Sequence, residues 1–176
     1  RARFSAGDRT IGDAFEAIRN EILHQPRDLE NLKREVVAMR QKMFDAHATK
    51  GAQAEVVFDL KHDCGGLVDV EFIVQYLVLG HAHAHPELTG NLGNIALLRI
   101  AGELGLIPAA LAETVRNAYR DYRHLQHRLR LNNARARVAP DSVSARVAAV
   151  CALWQIVFKK VRANQPFIMS PSIDAA

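Results

Sequence analysis

Apolar residues recur at helical spacing along nearly the whole chain. Ile11, Phe15, Ile18 and Ile22 fall on one face, which predicts a helix. Thr10 is placed to cap it, with Asp13 completing a short capping box, and Pro26 ends it. Asp28 is the expected N-cap of a second helix with the stripe Leu29, Leu32, Val36, Met39 and Met43. It stops near Thr49-Lys50-Gly51, and the pair is expected to form an antiparallel hairpin over 11–49. The β-branched run 55–61, around Val56-Val57-Phe58, predicts one short extended segment. A loop over 59–66 follows, because Gly65-Gly66 permits backbone angles that other residues resist.

From Leu67 to His83 the sequence is apolar almost all round, as expected of a central buried helix. Asn94 to Leu104 reads as a helix with Ile95, Leu98 and Ala101 inward, closed by Gly105. Pro108 opens a long helix to about Asn132, with Leu111, Val115, Tyr119, Tyr122 and Leu129 on one face. Asn132–Asp141 reads as a polar loop. Ser142 is placed to cap a last helix carrying Val143, Val147, Val150, Trp154 and Val161. The expected fold is all-α: a bundle of about six helices around 67–83, in a single domain over 1–162 with core helices 67–162. The segment 163–176 is expected to be a flexible tail.

Composition narrows the function classes. The chain has 176 residues, 49% apolar and 24% charged, which excludes global disorder. Its net charge, 23 − 19 = +4, is too small to argue by itself for nucleic acid or a membrane surface. No apolar run is long enough to span a bilayer. Two cysteines, Cys64 and Cys151, are too few for a disulfide framework or a thiolate zinc site and suit a reducing, cytoplasmic location. The chain opens on Arg1 rather than Met, so a piece of a longer polypeptide is expected.

Candidate chemistry concentrates between Asp59 and Phe72. Asp59, Lys61, His62, Asp63, Asp69 and Glu71 crowd around the glycine turn that opens the apolar helix. First-turn carboxylates are commonly present for the helix dipole alone. Yet Asp69 and Glu71 lie about 200° apart around the axis, so they cannot both face water on a buried helix. One of them is expected to meet a basic partner or line a cleft.

A second feature is the basic stripe Arg116, Arg120, Arg123, His127 and Arg130. Residues 110–140 carry seven arginines against Glu113 and Asp121, so this one element holds all the excess positive charge. It reads as a solvated face, as a partner for the acids, or as a docking face for phosphate or acidic protein. No aromatic residues interleave with it to stack bases, so nucleic acid is not expected. His81, His83 and His85 lack a companion ligand at metal spacing, and no metal is expected. The roles of Cys64 and of this histidine trio are left open.

At Asp59–Leu79 a resemblance becomes specific. Phe58-Asp59-Leu60-Lys61, then Gly65-Gly66, then Asp69-Val70-Glu71-Phe72-Ile73-Val74-Gln75-Tyr76-Leu77 resembles the motif D-L-K-x-x-x-G-G-x-x-D-I-E-F-x-x-Q-Y-L. Bacterial glutamine synthetase adenylyltransferases, bifunctional adenylyl-transferring and adenylyl-removing enzymes, carry that motif once per half. Asp69 followed by Gln75-Tyr76-Leu77 is more similar to the C-terminal, adenylylating half. Asn91-Leu92-Gly93-Asn94-Ile95 and Phe15-x-x-Ile18-Arg19-x-Glu21-Ile22 resemble it too.

The resemblance implies that each half has a nucleotidyltransferase domain followed by a helical domain shared with PII uridylyltransferases, and that this chain is such a helical domain. The parent would transfer AMP from ATP, with magnesium, to a tyrosine of glutamine synthetase in nitrogen regulation, answering to glutamine and PII. The metal-holding G-S…D-x-D motif is absent from these residues, so no catalytic residue and no cofactor are assigned to the chain itself. A supporting role carries over to Asp59, Lys61, Gly65, Gly66, Asp69, Glu71 and Gln75.

In that reading Lys61 reaches triphosphate oxygens or a carboxylate of the neighbouring catalytic domain. Asp69 and Glu71 fix Lys61 or an arginine of the stripe. The alternative is a non-catalytic module in which Arg116, Arg120, Arg123 and Arg130 dock PII or glutamine synthetase. A third reading has the motif only pin the domain to its neighbour.

Overall fold

A computed structural model describes residues 4–90 and 92–158. Among the described residues seven α-helices follow in order: α1 (Arg9–Leu23), α2 (Leu29–His47), α3 (Gln53–Val56), α4 (Leu67–His81), α5 (Asn94–Glu103), α6 (Ala109–Leu131) and α7 (Ser144–Phe158). A two-stranded ribbon, β1 (Phe58–Asp59) and β2 (Arg137–Val138), is the one sheet among the described residues. The protein is all-α, as its periodicity predicts.

α4 is the hub. Leu67, Val68, Val70, Ile73, Val74, Tyr76 and Leu77 are buried around its circumference. Helices α2, α5, α6 and α7 all pack against it, because a helix apolar on every side must be covered on every side. Tyr122 of α6 and Leu153, Trp154 and Phe158 of α7 complete the same core, with the Trp154 and Phe158 rings in tilted contact at 4.3 Å. Gly80 lets α2 approach: a Cβ there would stand 2.8 Å from Leu29 Cδ2.

Local details depart from the pattern reading. The N-cap of α1 is Asp8, whose carboxylate accepts from the Thr10 amide at 2.8 Å, rather than Thr10 itself. Asp28 caps α2 as expected, accepting from the Glu30 and Asn31 amides. The extended segment is shorter than 55–61: Gln53–Val56 closes a helical turn and only Phe58–Asp59 is strand. The loop after α6 supplies its partner strand, with Phe58 opposite Val138 and Asp59 opposite Arg137. Pro140–Ser142 forms a 3-10 turn and α7 begins at Ser144, so Ser142 is not its cap.

The hairpin over 11–49 is the larger correction. Helices α1 and α2 form, but α1 does not pack along α2, and Ile11, Phe15, Ile18 and Ile22 are exposed. Met39 of the α2 stripe is exposed as well, and Arg40 is buried in its place. Asn91, the end of the core helices beyond 158 and the 163–176 tail lie outside the described residues.

Candidate functional site

The motif divides into an inward and an outward set. Inward, Asp69 on the first turn of α4 is 1% exposed and forms an ion pair with Arg40 Nε of α2, itself 1% exposed. The other Asp69 oxygen, Oδ2, accepts from the Gly65 amide at 2.6 Å. Arg40 Nη2 donates to the carbonyls of His62, at 2.9 Å, and Asp63, at 3.3 Å. Burial pushes the Asp69 carboxyl up, and Arg40 and the Gly65 amide oppose it. One guanidinium thus joins α2, the motif loop and α4 at a site where both charges are almost fully buried.

The loop is tied by two more aspartates. Asp59 Oδ1 accepts from the amides of Lys61, at 2.9 Å, and His62, at 3.0 Å, an Asx-type turn. Asp63 is buried and accepts from Thr49 N and Asp59 N, both at 2.7 Å, clamping the end of α2 to β1. Gly66 caps α4 without a side chain, and the carbonyls of Leu60 and Lys61 receive the free amides of Leu67, at 2.9 Å, and Val68, at 3.2 Å.

Both glycines are steric requirements. Gly65 has φ +83°, the left-handed region, and a Cβ there would lie 2.7 Å from Val147 Cγ1. A Cβ on Gly66 would lie 2.8 Å from the Leu60 carbonyl oxygen.

Outward, Lys61 is exposed, and its side chain holds no hydrogen bond or ion pair among the described residues. Glu71 is half-buried, and its Oε1 accepts from the Tyr119 hydroxyl at 3.2 Å. That hydroxyl in turn accepts from Asn94 Nδ2 at 2.8 Å. Burial, then the neighbouring Glu71, pushes the Tyr119 phenol up, so it stays a donor at neutral pH. Gln75, one turn beyond Glu71, is exposed at the rim of an apolar cavity lined by Leu23, Leu79, Leu88 and Leu97.

Asp69 and Glu71 therefore meet Arg40 and Tyr119, neither Lys61 nor an arginine of the α6 stripe. On that stripe Arg116 pairs with Glu113 and Arg120 bonds Asn117 at 2.6 Å, both on their own helix. Arg123 and Arg130 are exposed, and Arg123 borders a shallow groove with His124, His127 and Arg128. The Cys64 and Cys151 thiols are each pushed up to about 12, burial being the main cause, so neither is a nucleophile at neutral pH. Among the described residues no group of three His, Cys, Asp or Glu is placed to hold a metal ion. No helix among them is long and apolar enough to cross a membrane.

Comparison with known proteins places this architecture. The GlnD PII-uridylyltransferase family matches residues 34–151, from α2 to α7. The chain belongs to that family. It is 66% identical, over 90% of its length, to a bifunctional glutamine synthetase adenylyltransferase/adenylyl-removing enzyme of Aromatoleum aromaticum. It is 50% identical to the same kind of protein from Nitrosomonas eutropha and 55% to that of Burkholderia pseudomallei, again over 90% of the chain. It spans only 16–18% of the length of these relatives.

The matched region of this GlnD-family chain contains two site residues that motif reading passes over. Arg40 sits four residues after Val36 and eight after Leu32, a charge on an apolar face, and α4 carries the opposite charge at Asp69. Two unlike charges on two buried faces are a pairing signal. Asp63 gave no such signal, because the loop geometry that makes it a clamp is set by Gly65 and Gly66.

Two histidines beside these elements make stability depend on pH. His62, which lies 3.4 Å from Asp59 with its ring tilted against that of His47 at 5.0 Å, is lowered from 6.5, chiefly by burial. His81, edge-on to Tyr76, is also lowered, by burial and then by His85, His83 and Lys33. For both, the unfolded chain takes up the proton first, so the stability gained is whole above 6.5 and declines as pH falls below it. The urea midpoint should drop as pH falls below 6.5. The double variant His62→Gln/His81→Gln should flatten that slope, and an unchanged slope would contradict the assignment.

Proposed function

We propose that this chain is the helical domain of a glutamine synthetase adenylyltransferase and that it supports ATP-dependent AMP transfer to a tyrosine of glutamine synthetase. The names of its relatives and the length of those proteins beyond the matched part support this reading. The observation that carries it is the division of the motif. Asp59, Asp63, Gly65, Gly66 and Asp69 are consumed in holding the loop against α4. The Lys61 and Gln75 side chains are spent on nothing that the fold needs, and Glu71 makes one side-chain hydrogen bond, to Tyr119. The residues facing out are a cation, a carboxylate oriented by a phenol, and an amide. Lys61 is a point charge suited to phosphate oxygens or to a carboxylate of the nucleotidyltransferase domain, where ATP and magnesium would be held. Glu71, fixed by Tyr119 and Asn94, orients that contact.

Lys61→Ala in the full-length enzyme should lower kcat for AMP transfer about tenfold or more, a loss of roughly 1.4 kcal/mol of transition-state stabilisation. The unfolding midpoint of the 176-residue chain should stay put, since Lys61 is exposed. Unchanged turnover would remove the proposal.

Docking of PII or glutamine synthetase on the α6 face is the second reading, supported by exposed Arg123 beside the His124/His127 groove and by exposed Arg130 on the same helix. Arg120→Glu/Arg123→Glu separates the two. Lost regulation with AMP transfer from ATP intact favours docking, and no loss of regulation rejects it.

A further inference from the structure

We propose that the outer face of α1 docks onto another domain of the same polypeptide, with Ile11, Phe15, Ile18 and Ile22 as its anchors. This rests on the reading that the chain belongs to a longer adenylyltransferase-type protein. At about 100° per residue, these four side chains fall within an arc of about 60°. They are 70%, 38%, 57% and 48% exposed.

The face of α1 that meets the bundle is a different one. Arg19 Nη2 donates to the Thr89 carbonyl at 2.7 Å, and Leu23 lines the cavity beside α4. The most apolar stripe of α1 thus points away from the core. Phe4, Ile11 and Phe15 also line an open concavity next to it. A contiguous apolar face in water marks an interaction site.

Three observations select the occupant. The family match begins at residue 34, so α1 lies outside the part of the chain that carries the family's own core. The relatives contain more than five times the matched length. And four anchors on one short helix fall well below the roughly 20–30 residues per side of a stable interface between separate molecules. A tethered partner is present at an effective concentration on the order of millimolar and needs far less surface. The partner is therefore an apolar groove elsewhere in the polypeptide, receiving α1 through i, i+4, i+7 and i+11 anchors.

The test is maleimide labelling of Ile18→Cys, read at position 18 by peptide mass spectrometry, in the 176-residue chain and in the full-length protein. The thiol should react freely in the 176-residue chain and about tenfold or more slowly in the full-length protein, a protection expected of buried contact. Equal rates would overturn the proposal. Protection already present in the 176-residue chain and rising with its concentration would assign the face to a second copy and overturn it as well. AMP transfer by the same full-length preparation tests the functional reading separately. Transfer without protection sinks the docking alone, and protection without transfer sinks the function alone.

Discussion

Arg40→Ala should cost about 3–5 kcal/mol of folding stability, a large part of the roughly 5–15 kcal/mol available to a domain. The cause is not the loss of one attraction. Asp69 would be left as a buried carboxylate with a single backbone donor, Gly65, in a site where burial already disfavours its charge. The carbonyls of His62 and Asp63 would lose their donor at the same time. Urea unfolding of the 176-residue chain measures this directly. The double variant Arg40→Met/Asp69→Leu should recover most of the loss, because replacing both charges removes the stranded one. A single-variant cost below about 1 kcal/mol would mean that water reaches the pair and screens it.

The second large effect belongs to the glycine turn. In Gly65→Ala the left-handed backbone alone costs about 1–3 kcal/mol, and the new methyl must displace Val147 or its carbonyl, which lies 3.0 Å away. Gly66→Ala meets a backbone oxygen that cannot rotate aside. Each variant should lose about 2–4 kcal/mol by urea unfolding, with Gly65→Ala the worse. Because the turn sets where Lys61 emerges, the AMP transfer proposed for the full-length protein should fall even at temperatures where the variants remain folded. A stable Gly65→Ala would show that the loop has another conformation open to it.

Much of this was legible beforehand, and the reasons are local. The run from Leu67 to Leu79 leaves no polar face, so α4 had to be central, and Asp28 announced the start of α2 by its own side-chain chemistry. The glycine pair announced a turn. What stayed hidden depends on distant partners. Phe58 and Val138 are far apart in the chain, and a two-residue strand has no periodicity to read. The spacing of Ile11, Phe15, Ile18 and Ile22 reports that the face is apolar and not what covers it, and in the structure all four are exposed. Similarly, the need of one acid on α4 for a basic partner followed from helix geometry. That the partner is Arg40, and not Lys61 or the arginines of α6, follows only from how α2 lies against α4.

The central claim is that one motif carries two separable duties, an inward staple and an outward surface serving chemistry elsewhere. The most direct measurement sets Asp69→Asn beside Glu71→Gln, reading both the unfolding midpoint of the 176-residue chain and AMP transfer by the full-length enzyme. Asp69→Asn should lower the midpoint sharply, while Glu71→Gln should keep it and lose AMP transfer. If Glu71→Gln left transfer intact, or destabilised the chain as much as Asp69→Asn does, the division would be contradicted.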